Sequence, residues 1–250
     1  MSFASQDWRL WVLAFFALVF VVFTLNLKFA NRKVRAALLA VIPTEVQFES
    51  VDPAQFPRLD KNQLAQLTSD MEKLGFEWLR DYTSKVPGKS TQRGFARLFV
   101  HRTDRCFAEI MATSQGMDKS LPLSVAINSY LENEWDLGTS NVAPQRGHYY
   151  MQLPKVLRMR YSDAGPAELL QRHLARRTEI LEGLQIGVLA DFSVDSYFAR
   201  VCKRMVERRE RMQRRQPLDE LPAADALAAK RSYEWLGAFP KERRRRHGAG

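Results

Sequence analysis

Four histidines, His101, His148, His173 and His247, lie far apart in a chain of 250 residues. A histidine beside a carboxylate can move protons near neutral pH, because each group tunes the other's proton affinity. His101 precedes Asp104 and Glu109, so an acid–base pair there is conceivable; a surface turn with ordinary charges is the favoured reading. For an enzyme assembled from scattered polar residues, His101, Glu109 and His148 are the first positions to test. His173 stands between Arg172 and Leu174, with Arg176 and Arg177 a turn further on. Those cations make metal binding unattractive, and His173 is read as a partly exposed helix residue. Glu132, Glu134 and Asp136 alternate around Trp135. Three carboxylates on one strand face can hold a cation, and as edge charges they discourage sheet-to-sheet pairing, which is the expectation here. The polar stretches Gly138–Asn141 and Gly147–Tyr150 can line a pocket mouth or simply form a loop.

The chemistry with recognisable spacing is missing. There is no phosphate-cradling glycine loop, no HExxH, no CxxC and no Gly-x-Ser-x-Gly elbow. The expectation is therefore a non-enzyme rather than an enzyme, with catalytic residues unknown and no cofactor or metal. Cys106 and Cys202 fall in different expected elements and are read as buried free thiols, in keeping with a reducing compartment.

The elements that would position these residues follow from periodicity. Asp60 and Gln63 have capping-box spacing, and Leu64, Leu67, Met71 and Leu74 recur at helical intervals up to Gly75. Phe76 can close back on Met71 in a Schellman arrangement. The pattern then switches to period two. Strands are expected from Phe76 to Tyr82, Phe95 to His101, Cys106 to Thr113, Leu123 to Leu131, Trp135 to Ser140 and Val156 to Tyr161, with Glu45 to Val51 as an edge and a turn over Ser84 to Arg93. Short connections favour antiparallel pairing. A helix resumes at Pro166, with Leu169, Leu170, Leu174 and Leu181 on its apolar side and Gly183 as its stop. The expected fold class is α+β: a curved antiparallel sheet flanked by helices. In element order alone this resembles helix-grip folds, which carries no function.

Leu10 to Leu27 contains no charge, and only Thr24 and Asn26 are polar. At about 1.5 Å per residue eighteen positions span about 27 Å, close to a bilayer's hydrocarbon thickness. Trp8 and Trp11 suit an interface. A single uncleaved transmembrane helix fits better than a signal peptide, because Asp7 and Arg9 offset one another and a basic cluster follows directly. Lys28, Arg32, Lys33 and Arg35 outnumber Arg9 across the span, which by the positive-inside rule places most of the chain in the cytoplasm. Val34 to Ile42, ending at Pro43, either extends this helix along the interface or packs on the domain.

The charge is uneven. The net +10 divides into +4 over 1–44, −1 over 45–192 and +7 over 193–250. With 46% hydrophobic residues the chain can bury a core, and disulfide scaffolds, collagens and disordered chains are excluded. The expected layout is a flank at 1–9, the span at 10–27, a basic juxtamembrane segment at 28–44, an α+β domain at 45–192, a basic amphipathic helix at 193–216, and a linker and tail at 217–250. Ser193 caps that helix, and Val194, Tyr197, Phe198, Val201, Met205 and Met212 form its apolar stripe. A last short helix is expected from Ala223 to Leu236. Lys28, Arg32, Lys33, Arg35 and Arg243, Arg244, Arg245 and Arg246 are the expected contacts to anionic lipid headgroups; the other reading is a solvated helix face and a frayed terminus. Too few aromatics interleave with the basic runs to favour nucleic acid as the partner. The function read from all this is a single-pass anchor presenting a cytoplasmic domain that binds a small molecule or a protein. A membrane-tethered enzyme and a tail-mediated nucleic-acid binder are the alternatives.

Overall fold

The computed structural model describes residues 7–87, 94–112 and 123–247, with backbone alone for 7–10 and 41. Part of the turn expected over Ser84 to Arg93, and Thr113 at the end of its strand, lie outside the described residues. The first helix, α1 (Asp7–Val41), runs unbroken because neither Gly nor Pro occurs until Pro43. It is long and apolar enough to cross a membrane; the stretch from Val34 extends it to Val41, and Leu38, Leu39 and Ile42 pack on the domain.

Eight strands form one sheet in chain order: β1 (Gln47–Ser50), β2 (Glu77–Lys85), β3 (Phe95–His101), β4 (Cys106–Ala112), β5 (Leu123–Leu131), β6 (Trp135–Ser140), β7 (Val156–Tyr161) and β8 (Ser232–Trp235). All neighbours are antiparallel except β6 and β7. The sheet is therefore mixed, which corrects the purely antiparallel expectation. The link from Ser140 to Val156, which includes α3 (Arg146–Tyr150), is long enough to carry the chain back for a parallel pairing. The short helix expected over Ala223 to Leu236 is corrected too. α6 (Leu221–Ala228) stops early, and Tyr233 and Trp235 sit on β8, paired with Arg160 and Arg158.

Strand alternation divides the sheet into two faces. One buries Phe95, Phe99, Ile110, Val125 and Ile127, then Leu131, Leu137, Leu157 and Met159, against α2 (Lys61–Lys73) and α4 (Pro166–Leu184). α2 begins as its residues require: the Asp60 carboxylate accepts from Gln63 N at 2.9 Å. It ends with Gly75 at φ +89 and Phe76 N donating to Met71 O at 3.1 Å. In α4, Gly183 is not the stop. The helix runs on to Leu184, Gln185 takes the left-handed cap, and Gly183 instead admits the ring of Phe239, 3.1 Å from where a Cβ would lie. The other face carries Tyr82, Leu98, Val100 and Phe107 beneath Tyr197 of α5 (Val194–Arg214). The chain closes with α7 (Phe239–His247), packed on α4 through Phe239.

Candidate functional site: the polar layer beneath α5

Towards β5–β7 the face under α5 turns from aromatic to charged. Asp136 is buried (2% exposed) and holds two arginines. Arg200 Nε donates to Oδ1 at 2.8 Å and Arg204 Nε to Oδ2 at 2.5 Å. Arg200, Arg204, Arg208, Arg211 and Arg215 recur at the spacing of one helical face, so α5 delivers them as a row. On the sheet, Arg158 and Arg160 of β7 alternate onto the same face as Asn128, Gly138 and Ser140. Arg158 lies across Gly138: a Cβ there would stand 2.2 Å from its Nη1, so only glycine leaves the guanidinium its place. Arg208 is half-buried, and its Nε is sealed from solvent with no hydrogen-bond partner. Burial, then the charges of Arg158, Arg204 and Arg160 outweighing that of Asp136, push it down to about 10. Burial and the positive charges of Arg160 and Arg208 likewise push His148 of α3 down to about 3, so it stays neutral at physiological pH.

At the β1–β4 end of the layer a cavity of about 200 Å³ opens between the sheet and α5 beside Glu109. Glu109 is buried and accepts a hydrogen bond from Tyr82 Oη. Burial raises its pKa, outweighing the Tyr197 and Tyr82 hydroxyls and the Arg158 charge, which lower it. A larger cleft of about 830 Å³ flanks α5 between Lys155, Arg204, Arg211 and Arg215.

The residues singled out by type do not converge. His101 sits on the opposite face of the sheet from Glu109. Its Nε2 lies 2.9 Å from Leu74 O, its Nδ1 accepts from Asp104 N at 3.0 Å, and its ring packs edge-on against Phe76. It ties the end of α2 to the β3–β4 turn, with Asp104 Oδ2 3.4 Å from its Nε2. His173 corrects the sequence reading: it is fully buried, between Ser129 Oγ at 2.8 Å and Thr139 Oγ1 at 2.9 Å. Burial first, then Arg177 and Arg158, bring it down to about 3, and it stays neutral at physiological pH. Glu132, Glu134 and Asp136 do not share a strand face. The first and second lie in a tight turn with Asn133 and Glu134 at positive φ, and only Asp136 is on β6. Glu132 accepts from Gly187 N, and Glu134 pairs with Arg200 and Lys203. Cys106 is buried and its thiol is pushed up to about 12; Cys202 is half-buried.

The basic residues expected at a membrane fall into two groups. Lys28, Arg32 and Lys33 are exposed on α1, while Arg35 donates to Arg215 O at 3.4 Å. Arg243, Arg244, Arg245 and Arg246 are exposed on α7, and Arg246 reaches the Leu184 carbonyl at the end of α4. The α5 arginines are different. The row that lines the polar layer is held by the domain itself, and Arg209 donates to Leu39 O at 2.9 Å and Ile42 O at 2.7 Å, closing the last turn of α1. The even spacing of arginines 200 to 215 was the sequence signal for this row, but its partner Asp136 is more than sixty positions away.

Fold and site define an α+β chain with one helix able to span a membrane and a charged layer enclosed beneath α5. Comparison with protein-family models, with curated proteins and with solved structures finds no match.

Proposed function

We propose that this is a single-pass membrane-anchored protein whose α+β domain faces the cytoplasm and binds a small molecule or protein partner. The observation that carries the reading is α1 itself. From Trp11 to Phe29 it exposes large apolar side chains all round, including Phe15 (62%), Phe20 (67%) and Phe23 (63%). Among the described residues no surface of the domain covers them, and an apolar solvent is the environment in which that helix is stable. Lys28, Arg32 and Lys33 then meet the headgroups on the cytoplasmic side, and Arg243 to Arg246 add a second basic patch for anionic lipid. The polar layer and the cleft beside it supply the concave surface for a ligand.

A membrane-impermeant maleimide tests the orientation. In sealed vesicles of known sidedness, a cysteine placed at Ser2 should label from the non-cytoplasmic side and one at Gly250 from the cytoplasmic side. The reverse pattern would overturn the orientation, and extraction of the chain by carbonate would overturn the anchor.

A further inference from the structure

We infer that Arg158, Arg160 and Arg208 together bind a phosphate group between α5 and the β6–β7 face. This deepens the ligand-binding part of the function proposed above and rests on it. Arg158 and Arg160 project from alternate positions of β7 onto the face under α5, and Arg208 stands one helical turn beyond Arg204, which bonds Asp136 on the neighbouring β6. Among the described residues none of the three has a carboxylate within ion-pairing distance. Their recorded partners are weak and neutral: Leu157 O at 3.3 Å for Arg158, and Tyr233 Oη at 3.3 Å and Val142 O at 3.4 Å for Arg160.

The acids that face this group are already engaged. Both oxygens of Asp136 are taken by Arg200 and Arg204, and Glu109 accepts from Tyr82. Gly138 leaves room for the Arg158 guanidinium, with Asn128 opposite it and the small pair Ala126 and Ser140 at the next register position on the same face. The sealed, unpartnered Nε of Arg208 leaves a donor for which an oxygen is missing. Guanidinium forks match phosphate oxygens geometrically, and three unpaired cations fit a group carrying nearly two negative charges better than a single carboxylate. The phosphate can belong to a free solute or to a lipid headgroup.

The test uses the full chain in neutral maltoside micelles at constant ionic strength, following thermal unfolding with inorganic phosphate, with chloride, or with phosphatidic acid added to the micelles. A midpoint rise that grows with the logarithm of ligand concentration, reaching about 5 to 10 °C far above Kd, is expected. It should be absent in Arg208→Met and Arg158→Met. It should be weakened in Gly138→Ala, which keeps every charge but crowds the Arg158 guanidinium. A response to inorganic phosphate assigns a solute; a response to phosphatidic acid alone assigns a headgroup. Phosphorus NMR line broadening with the wild-type chain reads binding directly, whether or not a variant folds. No broadening and no shift in either arm, an equal shift from chloride, or a shift retained in Arg208→Met and Arg158→Met would overturn the inference. None of these results touches the orientation, which the maleimide labelling reads separately.

Discussion

Glu109 and His173 are both buried titratable groups, and they drive stability with pH in opposite directions. The folded-state pKa of His173 is depressed to about 3, against about 6.5 for an unfolded histidine. Its neutral form therefore contributes stability above the unfolded value, and that is lost as pH falls from about 6 towards 3. The loss is about 1.4 kcal/mol per pH unit across that window. Replacing His173 with Gln, which keeps polar atoms for Ser129 and Thr139, should flatten the acid limb of a midpoint-against-pH curve. An unchanged slope would mean that the ring is not buried neutral. The Glu109 pKa is raised, so its contribution is present at low pH and disappears as pH rises through the folded value. Glu109→Gln keeps an acceptor for Tyr82 and should gain on wild type steadily as thermal melts move from acidic to alkaline buffer. Asp136 differs again, because it is the counter-charge for two arginines. Asp136→Ala should cost about 3–5 kcal/mol in denaturant unfolding, since it leaves Arg200 and Arg204 facing an already positive layer.

At the scale of elements, α1 and the domain are joined rather than merely linked. The Asn31 side-chain Oδ1 accepts from Leu218 N at 2.9 Å, Arg209 caps the end of α1, and Ile42 packs with Tyr150, Met212 and Ala224. Asn31 lies four residues beyond Leu27, about 6 Å along the helix, so the α5–α6 connection is held close to the end of the apolar run. Arg209→Ala removes two charge-assisted bonds worth about 1.5–3 kcal/mol each. Amide exchange should quicken over residues 38 to 46 while the α2–α4 layer keeps its protection. Exchange rising equally everywhere would show that this joint is not a local unit. Some of this was legible beforehand. Asp60, Gly75, Phe76 and Pro166 announced α2 and α4 because caps are short-range chemistry. β8 was not legible, since a four-residue strand carries little period and owes its state to pairing with β7.

For the whole molecule, charge is partitioned by role. Lys28, Arg32, Lys33 and Arg243 to Arg246 face outward, whereas Arg200 and Arg204 line the polar layer and Arg209 caps α1. Substituting Arg243 to Arg246 with Gln should weaken liposome adhesion of the tail and reduce its salt dependence, with the melting midpoint moving by a degree or two at most. Adhesion that ignores salt in the wild type would remove the electrostatic explanation.

The amino-acid sequence alone determined α1, the capped helices, most strand positions and the uneven charge. Each of these rests on neighbours within about a turn or on alternation along one strand. The tertiary structure decided which polar groups meet. It paired Asp136 with Arg200 and Arg204, buried His173 between two hydroxyls, sent His101 and Glu109 to opposite faces, and laid the Arg158 guanidinium over Gly138. Such meetings depend on strand register and helix placement across scores of residues, and no local period encodes which distant charge will stand opposite.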